Sequence, residues 1–257
     1  MSEVRFTVIG LGALCMSTVI LSDIHSNLES FQAVLKDISH EQVDQVLFLG
    51  DVVGYAADPD GCIEVLRGLA PYMVAGNHDW AAVGLTDTGY FNPMARAAVE
   101  WTAGVITSDH AAFLKDLPLT KDLSGMMLVH ATPYQPEAWD YIFSLDDAAQ
   151  CFRHCDQQIC FTGHSHYPIS FVQDQEGNIS VIQNSTLTLL DACRYLINVG
   201  SVGQPRDGDP RAAYGIYKPE EATFSLKRVP YDIKRTREKI IAAGLPPFLA
   251  SRLEVGR

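Results

Sequence analysis

Over its first two-thirds the chain alternates short apolar runs with stretches whose apolar residues recur at helical spacing. Residues 18–21 form a β-rich run, and Leu28, Phe31, Val34, Leu35 and Ile38 then fall on one helical face. Residues 46–49 read as a buried strand, residues 59–69 as a helix with Asp58 at its cap and Pro59 in its first turn, and residues 72–75 as a third strand. Helical stretches follow at 93–107 and 109–114. Short apolar runs at 126–129 and 159–161 flank a helix at 145–154. Beyond residue 165 the pattern changes to short β-like runs at 169–172, 179–182, 187–190, 195–199, 214–217 and 222–229. Turn signals such as Glu176-Gly177-Asn178 separate several of them. The tail at 231–253 is helical in pattern, interrupted by Gly244-Leu245-Pro246-Pro247. Strand–helix units followed by an antiparallel-rich half predict an α/β layered sandwich of two mixed β-sheets flanked by helices. We find no internal repeat, and residues 1–257 read as one domain with residues 1–15 set apart as an N-terminal extension.

Composition narrows the picture. Of 257 residues, 47% are apolar and 19% charged, with a net charge of -12 from 31 acidic and 19 basic side chains. Such a surface repels nucleic-acid backbones, so broad nucleic-acid binding is not expected, although a local cationic site could still take a phosphate. The six cysteines are scattered, which predicts reduced thiols in a cytoplasmic protein. Cys151, His154, Cys155 and Cys160 cluster in sequence, but their spacing fits no usual zinc pattern and reads as a helix end followed by a buried strand. No apolar run reaches the roughly 18 residues of a membrane span, so no membrane partner is expected. Residues 6–14 are apolar, but Arg5 alone supplies positive charge and no cleavage site follows. Leu14 before Cys15 does not suit a lipoprotein, and Gly10-Leu11-Gly12 is too short for a nucleotide fingerprint. We read this segment as an upstream extension or a start-site artefact.

The chemistry lies where strands end. Five apolar runs lead directly into residues that bind metals: Asp23-Ile24-His25, Gly50-Asp51, Gly76-Asn77-His78-Asp79, His130, and Gly163-His164-Ser165-His166. In α/β sheets, ligands bind beyond the carboxyl ends of strands, and five converging strands would gather these groups in one crevice. Each block alone is an ordinary turn; together they require the same accident five times. Gly50, Gly76 and Gly163 stand where the backbone must turn sharply or pass close to a metal. Mixed carboxylate, carboxamide and imidazole ligands suit Mn, Fe, Zn, Co or Ni better than Mg or Ca.

These five blocks, in this order and spacing, resemble the calcineurin-like metallophosphoesterases over about residues 17–217. Asp51-Val52-Val53-Gly54-Tyr55 and the stretch Asn198-Val199-Gly200-Ser201-Val202-Gly203-Gln204-Pro205-Arg206 resemble their small bacterial and archaeal phosphodiesterase branch. The chain departs from the family pattern at Ser26 and Ala131, where Gly is usual, and at Ser165, where Thr is commoner. The resemblance implies two divalent transition-metal ions, with Mn favoured. One would be held by Asp23, His25 and His166, the other by Asn77, His130 and His164, with Asp51 bridging. Such a pair would lower the pKa of a bridging water and clamp a phosphoryl group for in-line attack by hydroxide. Two divalent cations, two carboxylates and a hydroxide leave a centre of about +1 that attracts a phosphate within an acidic protein.

The expected activity is hydrolysis of a small phosphate mono- or diester, with nucleotides among the candidates. A protein phosphatase or a dinucleoside polyphosphate hydrolase is the alternative, and a non-catalytic scaffold of the same fold stands behind both. The intact ligand set, with His78 beside Asn77, argues against the scaffold. His78 is expected to serve the leaving oxygen as a protonated imidazole held by Asp79. Arg206 is expected either to contact the substrate phosphate or to pair locally with Asp207 or Asp209. Tyr134, Trp139, Tyr141 and Phe143 read either as an aromatic wall for a base or aryl group or as a helix face packed on the core. The oligomeric state is not fixed by the sequence.

Overall fold

A computed structural model describes residues 17–69 and 72–257; the expected extension at 1–15 lies outside the described residues. The first half runs β1 (Thr18–Leu21), α1 (Leu28–Ile38), β2 (Gln45–Phe48), α2 (Pro59–Arg67), β3 (Tyr72–Met73), α3 (Asn77–Ala82), α4 (Pro93–Val105) and α5 (Ser108–Lys115). There follow β4 (Thr120–Leu123), β5 (Met126–Val129), α6 (Leu145–Arg153), β6 (Ile159–Thr162), β7 (Ile169–Gln173), β8 (Ile179–Ile182) and β9 (Thr186–Thr188). The chain ends with β10 (Arg194–Asn198), β11 (Ala212–Lys218), β12 (Thr223–Val229), α7 (Ile233–Ala242) and α8 (Pro247–Ser251).

The strands form two six-stranded sheets, ordered β3-β2-β1-β11-β12-β9 and β4-β5-β6-β10-β7-β8. In the first, β1, β2 and β3 are parallel and β11 runs against β1. In the second, β5, β6 and β10 are parallel, with antiparallel β4 and β7 beside them. Both sheets are therefore mixed, as the sequence pattern predicts.

Burial on both faces explains why the strands read as unbroken apolar runs. Val19, Leu21, Val46 and Phe48 point outward and pack with Phe31 and Val34 of α1 and Ile63 and Leu66 of α2. Ile20, Leu47 and Leu49 point inward and meet Leu128, Phe161 and Ile197 of the other sheet. The outer face of that second sheet, with Val129, Cys160 and Leu196, is covered by Ala148, Cys151 and Phe152 of α6. The period-two alternation of strands thus builds four layers, helix–sheet–sheet–helix.

Three local features differ from the sequence expectation. β3 is two residues long rather than four, although Val74 still donates its amide to Phe48. β4 is an edge strand of polar composition, Thr-Lys-Asp-Leu, with no apolar run to reveal it. The aromatic segment is no helix face: a 3-10 turn at Pro136–Ala138 leads to Trp139 in a left-handed conformation, with φ of 58°. Cys62, Cys151, Cys155, Cys160 and Cys193 are free thiols, and among the described residues none joins a metal-ligand cluster. No described helix is long and apolar enough to cross a membrane.

Candidate metal centre

Parallel strands point their carboxyl ends the same way, and here those ends carry the candidate ligands. β1 leads to Asp23 and His25, β2 to Asp51, β3 to Asn77 at the first turn of α3, β5 to His130, and β6 to His164 and His166. All seven are buried. Five of them, Asp23, His25, Asp51, His164 and His166, have positive φ. Side chains with a Cβ rarely adopt that region, and each such residue costs roughly 1–3 kcal/mol unless its surroundings compel it. Ser26 is likewise left-handed at φ of 55°.

The distances gather three overlapping sets of potential ligand atoms, and Asp51 belongs to two of them, one being His25, Asp51 and His78. Asp23, His25 and His166 converge on one point, and Asp51, His130 and His164 on another, with no more than 4.8 Å between ligand atoms of a group. Asp51 Oδ2 lies 3.6 Å from His25 Nε2 and 3.3 Å from His130 Nε2. Asn77 Oδ1 lies beside the second group, 3.2 Å from His130 Nε2.

Second contacts fix which atom faces inward in three of the imidazoles. His25, His130 and His166 use Nδ1 to donate to the carbonyls of Val53, Leu49 and Gln204, at 2.9, 2.7 and 2.6 Å. In a neutral ring Nε2 is then left with a lone pair turned to the centre, an arrangement typical of metal-ligating histidines. Yet His25 Nε2 and His166 Nε2 stand 3.0 Å apart, and His130 Nε2 and His164 Nδ1 3.2 Å apart. Between neutral His25 and His166, whose Nδ1 protons are both committed to carbonyls, the facing lone pairs repel at that distance unless a cation lies near both, whereas a ring proton can bridge His130 and His164. The carboxylates are divided in the same way. Asp23 Oδ2 accepts from Ser22 Oγ and the His164 amide, and Asp51 Oδ1 accepts from the His78 amide. Asp23 Oδ1 is buried with no hydrogen-bond partner. An orphaned buried carboxylate oxygen is costly, and together with the facing imidazoles it fits a site for divalent cations.

Electrostatics points the same way. Burial should raise both carboxyls, but His166 and His25 hold Asp23, and His130 and His78 hold Asp51, well below the usual range. Burial and neighbouring positive groups push His164 and His166 down to about 3. His130 is the exception: despite burial, Asp51 and Asp23 hold it up at about 9. The centre is rich in negative charge and lone pairs and short of cations.

Two glycines allow this crowding. A Cβ on Gly76 would collide with the Asp51 carboxylate, and one on Gly163 with Ser22 Oγ and the Asp23 carboxylate.

His78 and Asp79 require correction. Asn77 opens α3, so the side chains of Asn77, His78 and Asp79 diverge around a helix. The Asp79 carboxylate does not touch the His78 ring. It accepts from the backbone amides of Asp51, Gly76 and Val53 at 2.8, 3.0 and 3.2 Å, tying the β2 and β3 loops together. Burial and the Asp51 charge raise its pKa to about 7. His78 lines the cleft, but burial drives its pKa well down, so the ring is neutral rather than protonated, and its Nδ1 has no hydrogen-bond partner. Its ring packs against Tyr55 and Phe91 at centroid distances of 4.4 and 5.0 Å.

Arg206 does not pair with Asp207 or Asp209, which bond Arg228 and Arg211 instead. It lies over the Tyr55 ring at 5.5 Å, is held by Gln204 Oε1 at 2.9 Å, and lines the cleft. Of the aromatic segment, Trp139 and Tyr141 line the cleft, whereas Tyr134 packs on His154. Sequence reasoning passed over Tyr55, buried at φ of 57° against His25 and His78. The loop after β10, quoted in sequence only for its resemblance, is tied to the site: Ser201 Oγ and the Gly203 amide each donate to the Asp23 carbonyl at 2.8 Å.

Fold and ligand geometry together define a metallophosphoesterase-type centre between two mixed sheets. The chain belongs to the calcineurin-like phosphoesterase superfamily, whose domain it matches over residues 16–222. It is 41% identical over 242 residues to an uncharacterised protein of Methanocaldococcus jannaschii, covering 93% of this chain and 97% of that protein. It is similar to a metallophosphoesterase crystal structure from Sphaerobacter thermophilus, at 39% identity and a TM-score of 0.84, over 95% of this chain and all (100%) of the other. A hypothetical protein from Pyrococcus horikoshii shares the fold at 17% identity, with a TM-score of 0.77 and coverage of 94% and 98%. The family uses divalent metal ions and hydrolyses phosphate esters, and this chain carries the clustered residues to hold such ions.

Proposed function

We propose that the protein is a dinuclear-metal phosphoesterase that hydrolyses a small phosphate mono- or diester. The observation that carries this reading is the position of Asp51 Oδ2, within 3.6 Å of an imidazole of each ligand group. Asp23, His25 and His166 would hold one ion and Asn77, His130 and His164 the other, with Asp51 shared. When bound, two such ions activate water and neutralise the charge of a phosphoryl group.

The chain's own residues account for the rest. Carbonyls of Leu49, Val53 and Gln204 fix the imidazole tautomers, so that no proton has to leave a ligand ring during turnover. His78 faces the cleft as a neutral imidazole and, in this reading, donates a hydrogen bond to the oxygen that gathers charge as the ester bond breaks. Arg206, stacked on Tyr55, offers a fixed cation to a non-bridging phosphate oxygen. The cleft of about 720 Å³ has the size of a small-molecule site.

The test is an assay of metal-loaded protein against phosphomonoesters and phosphodiesters, with elemental analysis of wild type and Asp51→Asn. We expect ester hydrolysis and two ions per chain in the wild type, with metal and activity both lost in the variant. Full metal content and turnover in Asp51→Asn would refute the shared carboxylate.

A further inference from the structure

Of the four candidate histidine ligands, three are steadied at the outward nitrogen by a backbone carbonyl: His25, His130 and His166, at 2.9, 2.7 and 2.6 Å. His164 is built differently. Its inward atom is Nδ1, 3.2 Å from His130 Nε2. Its Nε2 is buried and has no hydrogen-bond partner among the described residues. The backbone is pinned, with φ of 65° and the amide donating to Asp23 Oδ2 at 3.1 Å. No contact at the outer nitrogen fixes the tilt of the ring, and a metal ligand depends on such outer contacts for its orientation.

An aromatic stack stands where the missing carbonyl would be needed. The Tyr141 ring lies over the His164 imidazole at 4.2 Å and 20°, and Phe143 backs Tyr141 at 5.3 Å and 15°. Parallel rings at these distances attract one another and resist tilting. The stack is anchored from both sides. Ile142, between its two members, is buried with Val129, Cys151 and Phe152. The amides of Phe143 and Ser144 donate to the Asp147 carboxylate at 3.1 and 2.9 Å, and Ser144 Oγ accepts from the Asp147 amide, which ties the segment to the first turn of α6. Tyr141 and Phe143 are themselves 46% and 65% exposed, so their own burial gives little reason for the arrangement.

We infer that Tyr141 is a positioning residue for metal binding: stacked between Phe143 and His164, its flat ring holds the imidazole with Nδ1 turned toward Asp51 and His130. This deepens the dinuclear reading and rests on it. His164 belongs to the group with Asp51 and His130 and not to the group of Asp23, His25 and His166, so the effect falls on one ion of the two. The holding is done by the face of the ring, so a phenylalanine at this position would serve as well, whereas an apolar side chain without a flat face would not.

The experiment titrates Mn2+ into metal-free wild type and variants by calorimetry, with the electron paramagnetic resonance signal of a coupled Mn2+ pair reporting when both sites are filled. Tyr141→Phe should bind both ions as the wild type does. Tyr141→Leu should bind one ion unchanged and the other about tenfold or more weakly, the usual cost of removing a group that orients a metal ligand. Phe143→Ala, which leaves Tyr141 in place and removes its backing, should weaken the same ion by less. Three results would overturn the inference while leaving the phosphoesterase reading intact: wild-type affinities in Tyr141→Leu, a loss in Tyr141→Phe as large as in Tyr141→Leu, or an equal loss at both ions, which would mark a general loosening of the site. A wild-type protein that takes up a single ion would overturn both.

Discussion

His78 shows how burial reassigns a residue whose sequence context invites a simpler role. Beside an aspartate in sequence, it reads as an imidazolium. In the fold, desolvation outweighs the nearby Asp51 charge and leaves it neutral, while Asp79 is occupied elsewhere. A neutral ring can still donate one N–H to a developing oxyanion, so His78→Ala should lower kcat by about 10² on esters with poor leaving groups. Nitrophenyl esters, whose leaving groups need little help, should suffer less, and metal content should stay at wild-type level. Near-normal turnover on a poor leaving group would remove His78 from the reaction. Arg206 is a different case, because its cation is fixed by Gln204 and Tyr55 before substrate arrives. If it holds the phosphate equally in ground and transition states, Arg206→Ala should raise KM severalfold and change kcat little. Identical kinetics in the two proteins would leave Arg206 a support for Tyr55 alone.

At the scale of elements, the short helix α3 carries three neighbours to three tasks. Asn77 faces the second ligand group, His78 the cleft, and Asp79 the loop after β2. Asp79→Asn would leave at least one of three buried amides without an acceptor, at about 1–3 kcal/mol per orphaned group. We expect a fall in the denaturation midpoint and a loss of metal, because the displaced loop carries Asp51. An unchanged midpoint would mean that the loop is held by other contacts. The sequence revealed the ligand blocks because each follows an apolar run whose burial on both faces leaves a plain signal. It did not reveal α3, since six residues beginning at a strand end show no helical period. It did not reveal β4 either, since a solvated edge strand of Thr, Lys and Asp has no apolar face. The carbonyls of Leu49, Val53 and Gln204 could not be foreseen at all, because backbone acceptors leave no mark in residue type. Tyr55 sat inside a quoted motif without a role, and only its left-handed backbone and its contacts with His25 and His78 place it in the site.

For the molecule as a whole, the metal-free centre stores unfavourable terms that bound cations would relieve: the facing imidazoles of His25 and His166 and the unpartnered buried oxygen of Asp23. A ligand that binds only the folded state stabilises it by about 2.7 kcal/mol at a hundredfold excess over its Kd, so metal should raise the midpoint of unfolding. The pH dependence of uptake has a definite sign. In the metal-free protein His130 is held up at about 9 by Asp51 and Asp23, and Asp79 is raised to about 7 by burial and the Asp51 charge. Both therefore hold protons at pH 6.5, His130 almost fully and Asp79 in large part. An entering cation needs a neutral His130 and, by offsetting the charge of Asp51, favours ionised Asp79, so it must expel those protons. Raising the pH through 7 and toward 9 removes the same protons beforehand. Metal affinity should thus rise with pH over this window, and the protons released per chain should fall. Calorimetric titration of Mn2+ into metal-free protein, in two buffers of different ionisation enthalpy at pH 6.5 and 8.5, measures both quantities. An apparent enthalpy independent of buffer at pH 6.5, or an affinity unchanged between the two pH values, would show that His130 is already neutral in the metal-free protein and that Asp51 and Asp23 do not govern its charge.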